Sequence, residues 1–181
     1  MLTRTLDRIY TAAGALAGVF LVLICVIVTA QIVARQLETI IPSADQFAGF
    51  CLAATSFLGL AYSFRSGSHI RVTLFTQLLR GPGGRLALIL ALAVGAAIAA
   101  TLAWHTSAMV AQNFARGEVT SGLVPVPLWI PQIGMALGVI LFAVAIVEDL
   151  VRAILGHQTL FDAAERKLKD AQEAGEPVDP V

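Results

Sequence analysis

Four long stretches of the chain carry no charged side chain, and they set the expected architecture. They run from Ile9 to Ala34, from Gln46 to Phe64, from Leu86 to Ala115 and from Val119 to Val147. The core of the first reads AGVFLVLICVIVTAQIV. A helix needs about 20 apolar residues to cross the hydrocarbon layer of a membrane, so each run is long enough, the second only just. Lipid offers no hydrogen-bond partner to a free backbone N–H or C=O, so each crossing must be helical. The fourth run begins with Pro125, Pro127 and Pro131. Proline is tolerated in the first turn of a helix but not in its interior, which sets that start near Pro127. The predicted spans are 11–34, 46–64, 86–112 and 127–151. They form one four-helix transmembrane domain over residues 1–155, followed by a polar tail over 156–181. The first apolar run is longer than the 7–15 residues of a secretory signal core, so it is read as a retained helix.

Between the second and third runs the pattern changes. In FRSGSHIRVTLFTQLLR, residues 64–80, Ile70, Leu74, Phe75, Leu78 and Leu79 fall on one helical face, and Thr73, Thr76, Gln77 and Arg80 on the other. That periodicity predicts a short amphipathic helix over about 70–80, lying in the membrane interface. GPGG at 81–84 then breaks it and lets the chain re-enter the membrane at Arg85–Leu86.

Composition agrees with an all-α integral membrane protein. Of 181 residues, 57% are hydrophobic and 13% charged, and the mean hydropathy is +0.82. A soluble domain carries about 25% charge. The formal net charge is zero, so there is no bulk cationic surface for nucleic acid. Cys25 and Cys51 both lie inside apolar runs and are expected to be small buried hydrophobes.

Charge placement predicts orientation. The N-terminal tail holds Arg4 and Arg8, the central loop Arg65, Arg71, Arg80 and Arg85, and the C-terminal tail Arg152, Arg166, Lys167 and Lys169. The other two loops hold only Arg35 and Arg116. The positive-inside rule then puts both termini and the amphipathic arm on the cytoplasmic side. Tyr10 and Tyr62 are expected in the inner aromatic belt, Trp104 and Trp129 in the outer one.

Groups able to carry chemistry are few. No acid or base lies in the centre of a run, where a transport pathway usually shows itself. Glu148 and Arg152 are spaced i,i+4 and read as a surface helix pair. Arg35, Glu38 and Asp45 sit at the outer mouth of the first hairpin, as a local ion-pair cluster or as contacts for an external partner. Haem ligation needs histidines on facing helices at membrane depth. His69 falls in a loop, His105 is expected toward the outer end of the third helix and His157 lies beyond the fourth, so they form no such pair. No metal-ligand spacing, phosphate loop or nucleophile elbow is present, and no cofactor or enzymatic activity is expected. Gly14 and Gly18 in the first run, and Gly134 and Gly138 in the fourth, have the GxxxG spacing that lets helices approach closely.

FLGLAYSFRSGSHIRVTLF at 57–75 resembles the small membrane subunit of tripartite ATP-independent periplasmic (TRAP) transporters, the DctQ-like family. Arg65, Gly67, His69, Ile70, Arg71 and Val72 match the family pattern in place. Arg35 after the first helix and TSGLVPVPLWIPQIGMALG at 120–138 are similar too. The sequence departs from the family at Thr73, where an acid is common, and at Ser43-Ala44-Asp45-Gln46, where Ser-Trp and paired glutamates are common.

The resemblance implies an accessory subunit in a bacterial inner membrane. It would pack against a separate large permease chain that takes up an organic acid by ion-coupled transport, with a periplasmic binding protein delivering the substrate. In that setting Arg65, Gly67, His69, Ile70 and Arg71 would hold the cytoplasmic arm against lipid phosphate or the large subunit, with His69 donating a hydrogen bond. Arg35, Asp45 and Trp129 would shape the outer face. Read from the residues alone, a free-standing four-helix scaffold and a redox or membrane-enzyme subunit also remain open.

Overall fold

The computed structural model describes residues 2–65 and 82–156, and the predicted arm over 70–80 and the tail from 157 lie outside them. Four helices make up the described chain: α1 (Leu2–Gln36), α2 (Ala44–Arg65), α3 (Pro82–Arg116) and α4 (Trp129–Leu155). All four are long and apolar enough to cross a membrane.

The helices outrun the predicted spans at most ends. α3 begins at Pro82, inside the GPGG expected to be a break. Proline has no N–H to lose in a first turn, so the loop signal and the helix start coincide there. α4 begins at Trp129 rather than Pro127, with Pro131 in its first turn. It ends on Gly156, whose φ of 74° is the left-handed conformation that closes a helix C-terminus.

α1 packs on α2, α2 on α4, and α4 on α3. The spatial order is therefore α1–α2–α4–α3, with α1 and α3 as edges. Side chains that face lipid and side chains that face a neighbouring helix are both apolar, so packing here rests on close fit rather than on hydrophobic contrast. Small residues supply that fit. Gly138 lies against the α2 backbone: a Cβ there would stand 2.5 Å from the carbonyl carbon of Phe57 and 2.7 Å from the nitrogen of Leu58. Gly134 meets Ala54, and Gly14 on α1 meets the ring of Tyr62. Gly18 faces open space, so the first GxxxG pair contributes one contact position. One buried cluster joins Ala61, Phe64, Ala96, Ala99 and Ala145 across α2, α3 and α4; a second joins Ala13, Ala17, Ala54 and Leu58.

Hydroxyls inside the spans bond to backbone carbonyls. Thr55 Oγ1 donates to Ala17 O across the α1–α2 seam at 3.3 Å. Ser56, Thr101, Thr106 and Ser107 each donate to the carbonyl four residues earlier. Asn113 Nδ2 donates to Gln132 Oε1 at 2.8 Å, tying α3 to α4.

These contacts fix the heights of the helices relative to one another. The uncharged run of α2 spans about 28 Å at 1.5 Å per residue, about the thickness of a hydrocarbon layer, with its middle near Thr55. Gly138 sits beside Phe57 and Leu58, near that middle. On the other seam Gly95 faces Ile146 and Asn113 faces Gln132. His105, between Gly95 and Asn113, is therefore level with Gly138. Both His105 and its neighbour Trp104 fall in the second half of α3, the half expected to lead toward the outer face. Trp104 is 74% exposed.

Tyr10 is 1% exposed, packed inside the bundle end beside Arg65, and its hydroxyl donates to Leu141 O on α4 at 3.0 Å. The expectation of two buried cysteines changes. Cys25 is exposed, because α1 is an edge helix and most of its circumference meets no other helix; Cys51 is half-buried, and both are free thiols.

Candidate functional site

The two ends of the bundle are built differently. The end that carries Asp7, Arg65, Arg85 and Arg152 holds an ion network linking three helices. Arg65, in the last turn of α2, places Nη1 2.5 Å from Glu148 Oε2 and Nη2 2.8 Å from Asp7 Oδ1. Its guanidinium also lies over the Tyr10 ring, 5.3 Å from the centroid. Glu148 takes a second cation, Arg152, at 2.6 Å. The i,i+4 pair read from the sequence is present, as one arm of this network. The Arg65 side chain is 9% exposed and that of Asp7 59%. The Arg65–Glu148 bond is thus shielded from screening, while the one to Asp7 is open to it. Asp149, beside Glu148, is fully buried.

Arg85 closes the same end of the α3–α4 pair. Its Nη2 donates to Ala153 O and Ile154 O, at 3.3 and 3.2 Å. A cation there meets the negative end of the α4 dipole and satisfies carbonyls left open by the last turn.

At the opposite end, two loops lean on each other. Residues 117–128 fold back through a Val119–Pro127 bridge. Thr120 pairs with Val126, backbone N–H to carbonyl, at 2.9 Å. The N–H of Val124 donates to Ser43 Oγ at 2.9 Å, joining this loop to the start of α2. Gly122 lies against the side-chain ends of Gln46 and Ser43. Leu37, Ile40 and Leu123 are exposed on these loops.

Of the residues singled out for the outer face, Asp45 accepts from Gln31 Nε2 at 2.7 Å. Trp129 stacks edge-on with Phe114, 5.5 Å between centroids. Arg35 is exposed. No ion pair joins Arg35, Glu38 and Asp45 among the described residues, so the local cluster expected at this hairpin does not form. Arg65, expected to meet lipid phosphate or the large subunit at the cytoplasmic arm, pairs with Asp7 and Glu148 of this chain. Gly67, His69, Ile70 and Arg71 lie outside the described residues.

Sequence reasoning missed Asp7 and Tyr10 as partners of Arg65, and Arg85 as a cap. The lone acid just ahead of the first apolar run was the one available signal for Asp7. No group of three or more His, Cys, Asp or Glu side chains is placed to hold a metal among the described residues. The ends offer fixed polar surfaces, and the long sides of the bundle offer apolar ones.

A family model described as Tripartite ATP-independent periplasmic transporters, DctQ component, matches residues 24–156, well over half the chain. The chain belongs to the DctQ family. It is a membrane component of a TRAP transporter, with four helices of membrane-spanning length. No curated protein and no solved structure matches this DctQ subunit. The match takes in all of α2, α3 and α4 and ends on Gly156, the residue that closes α4.

Proposed function

We propose that this DctQ subunit is an accessory membrane chain that packs against the large permease subunit of its transporter. It supports that subunit in the bacterial inner membrane while an organic acid, delivered by a periplasmic binding protein, is taken up with a coupling ion. The family match over residues 24–156 carries the reading. The chemistry of the spans supports it. Their central stretches hold no acid or base of the Asp, Glu, Lys or Arg type, and the four described helices run unbroken, without the interrupted helices that build transporter sites. In this reading the Arg65 network sets the root of the cytoplasmic arm, and Gly67, His69, Ile70 and Arg71 present the arm to lipid phosphate or to the large subunit. Arg35, Asp45 and Trp129 shape the outer face. The chain itself performs no catalysis.

Affinity purification of the tagged chain from native membranes is the test. A large multi-pass permease identified by mass spectrometry is expected to come with it in stoichiometric amount. Arg71→Glu is expected to reduce that yield while leaving membrane insertion intact. A wild-type chain that purifies alone, from membranes active in uptake, would refute the reading.

A further inference from the structure

We propose that the outward face of α3 around His105 is the surface that docks the large subunit, and that a transmembrane helix of that subunit places an acceptor oxygen against the imidazole. This rests on the accessory-subunit reading above and names the face that it uses.

The contact register puts His105 level with Gly138, near the middle of the uncharged α2 run, on an edge helix where it is exposed and has no hydrogen-bond partner among the described residues. An imidazole always has an N–H to donate. The hydroxyls of α2 and α3 at this depth all bond to backbone carbonyls, so His105 stands apart from its surroundings. An unmet polar group facing hydrocarbon is costly, and ionisable side chains inside a membrane face protein or a water-filled cavity. With the α2 run centred in a hydrocarbon layer about 30 Å thick, lipid headgroups lie beyond the reach of an imidazole at this height.

Neighbouring positions extend the face. Ala97 and Thr101 precede His105 at four-residue intervals, and Gln112 follows two turns later. Gln112 is also exposed and makes no hydrogen bond among the described residues. The alanine leaves room for a close helix approach, and the polar side chains supply cross-helix bonds. The other exposed faces differ. α4 presents Ile133, Leu137, Ile140, Val144 and Val147, and α1 presents Val19, Val22 and Val26. Those residues suit lipid as they stand; on α3 the exposed apolar residues Val94, Ile98 and Leu102 flank His105, which does not.

The test uses the tagged chain co-expressed with the large subunit of its transporter. The photo-crosslinking residue benzoylphenylalanine is placed at Ile98 or Leu102, beside His105, or at Leu137 or Val144 on α4. Irradiated membranes are expected to join the two chains from positions 98 and 102 and not from 137 and 144. His105→Leu is expected to lower the co-purified large subunit about fivefold, as for the loss of one strong interhelical hydrogen bond in a membrane. His105→Gln, which keeps a donor, is expected to retain most of it. Cross-links from α4 alone, or undiminished co-purification of His105→Leu, would overturn the α3 assignment and leave the accessory role standing. Cross-links from 98 and 102 to a second copy of this chain would overturn it in favour of self-association. A wild-type chain that brings down no large subunit would overturn both.

Discussion

Replacing Gly138 by alanine adds one methyl group where α4 touches the backbone of α2. The new Cβ would stand 2.5–2.7 Å from Phe57 and Leu58 backbone atoms. Backbone cannot rotate aside as a side-chain tip can, so the two helices must separate along their most intimate seam. That seam also carries the Gly134–Ala54 contact and, further along, the Arg65–Glu148 pair. Overpacking of this kind costs about 1–3 kcal/mol. For a chain of this size, that corresponds to a fall in unfolding temperature of roughly 2–12 °C. Gly18→Ala is the matched control. It makes the same change in the other GxxxG pair, where nothing lies within 4 Å of the new methyl. Thermal unfolding of both variants in one detergent, followed by loss of the monodisperse chromatographic peak, reads the difference. If Gly138→Ala proved as stable as Gly18→Ala, the α2–α4 seam would not be the close contact described.

Other changes follow from the polar ties. Arg65→Ala leaves Glu148 with Arg152 as its one cation among the described residues and is expected to cost about 3 kcal/mol, whereas Asp7→Asn, at the exposed arm of the network, should cost under ~1 kcal/mol; chemical denaturation in mixed micelles ranks the two. A double-mutant cycle of Asn113→Leu and Gln132→Leu is expected to give a coupling energy of about 0.5–1.7 kcal/mol, the range for hydrogen bonds between membrane helices, and additive effects would mean that the pair is not formed. With Cys25 and Cys51 replaced by alanine, Ser121→Cys is expected to react with an impermeant maleimide added to intact spheroplasts while Arg8→Cys stays protected, and the reverse pattern would invert the proposed orientation.

The helices were legible because an uncharged run of span length admits one backbone solution. Their neighbours were not. Val26 faces outward and Ala17 faces α2, yet both are apolar, so no periodic contrast marks the packed side of α1. The ends were legible as basic, but not as paired: Arg65 finds Asp7 and Glu148, 58 and 83 residues away in sequence, only once α1, α2 and α4 lie side by side. Tyr10 and Trp104 were read as belt residues by type. Height is set by register against α2 and α4, which no single helix discloses, and that register buries Tyr10 and brings His105 level with Gly138. The family pattern at 57–75 was readable because it is a specific run of residues. Half of it, from Ser66 onward, lies outside the described residues.

Solute flux in proteoliposomes tests the central claim most directly. Vesicles containing this chain alone are expected to show no uptake above that of empty liposomes under any ion gradient. Vesicles that also hold the large subunit, supplied with the binding protein and its ligand, are expected to accumulate substrate, and to lose that activity when this chain is omitted. Gradient-driven flux through the chain by itself would contradict the account.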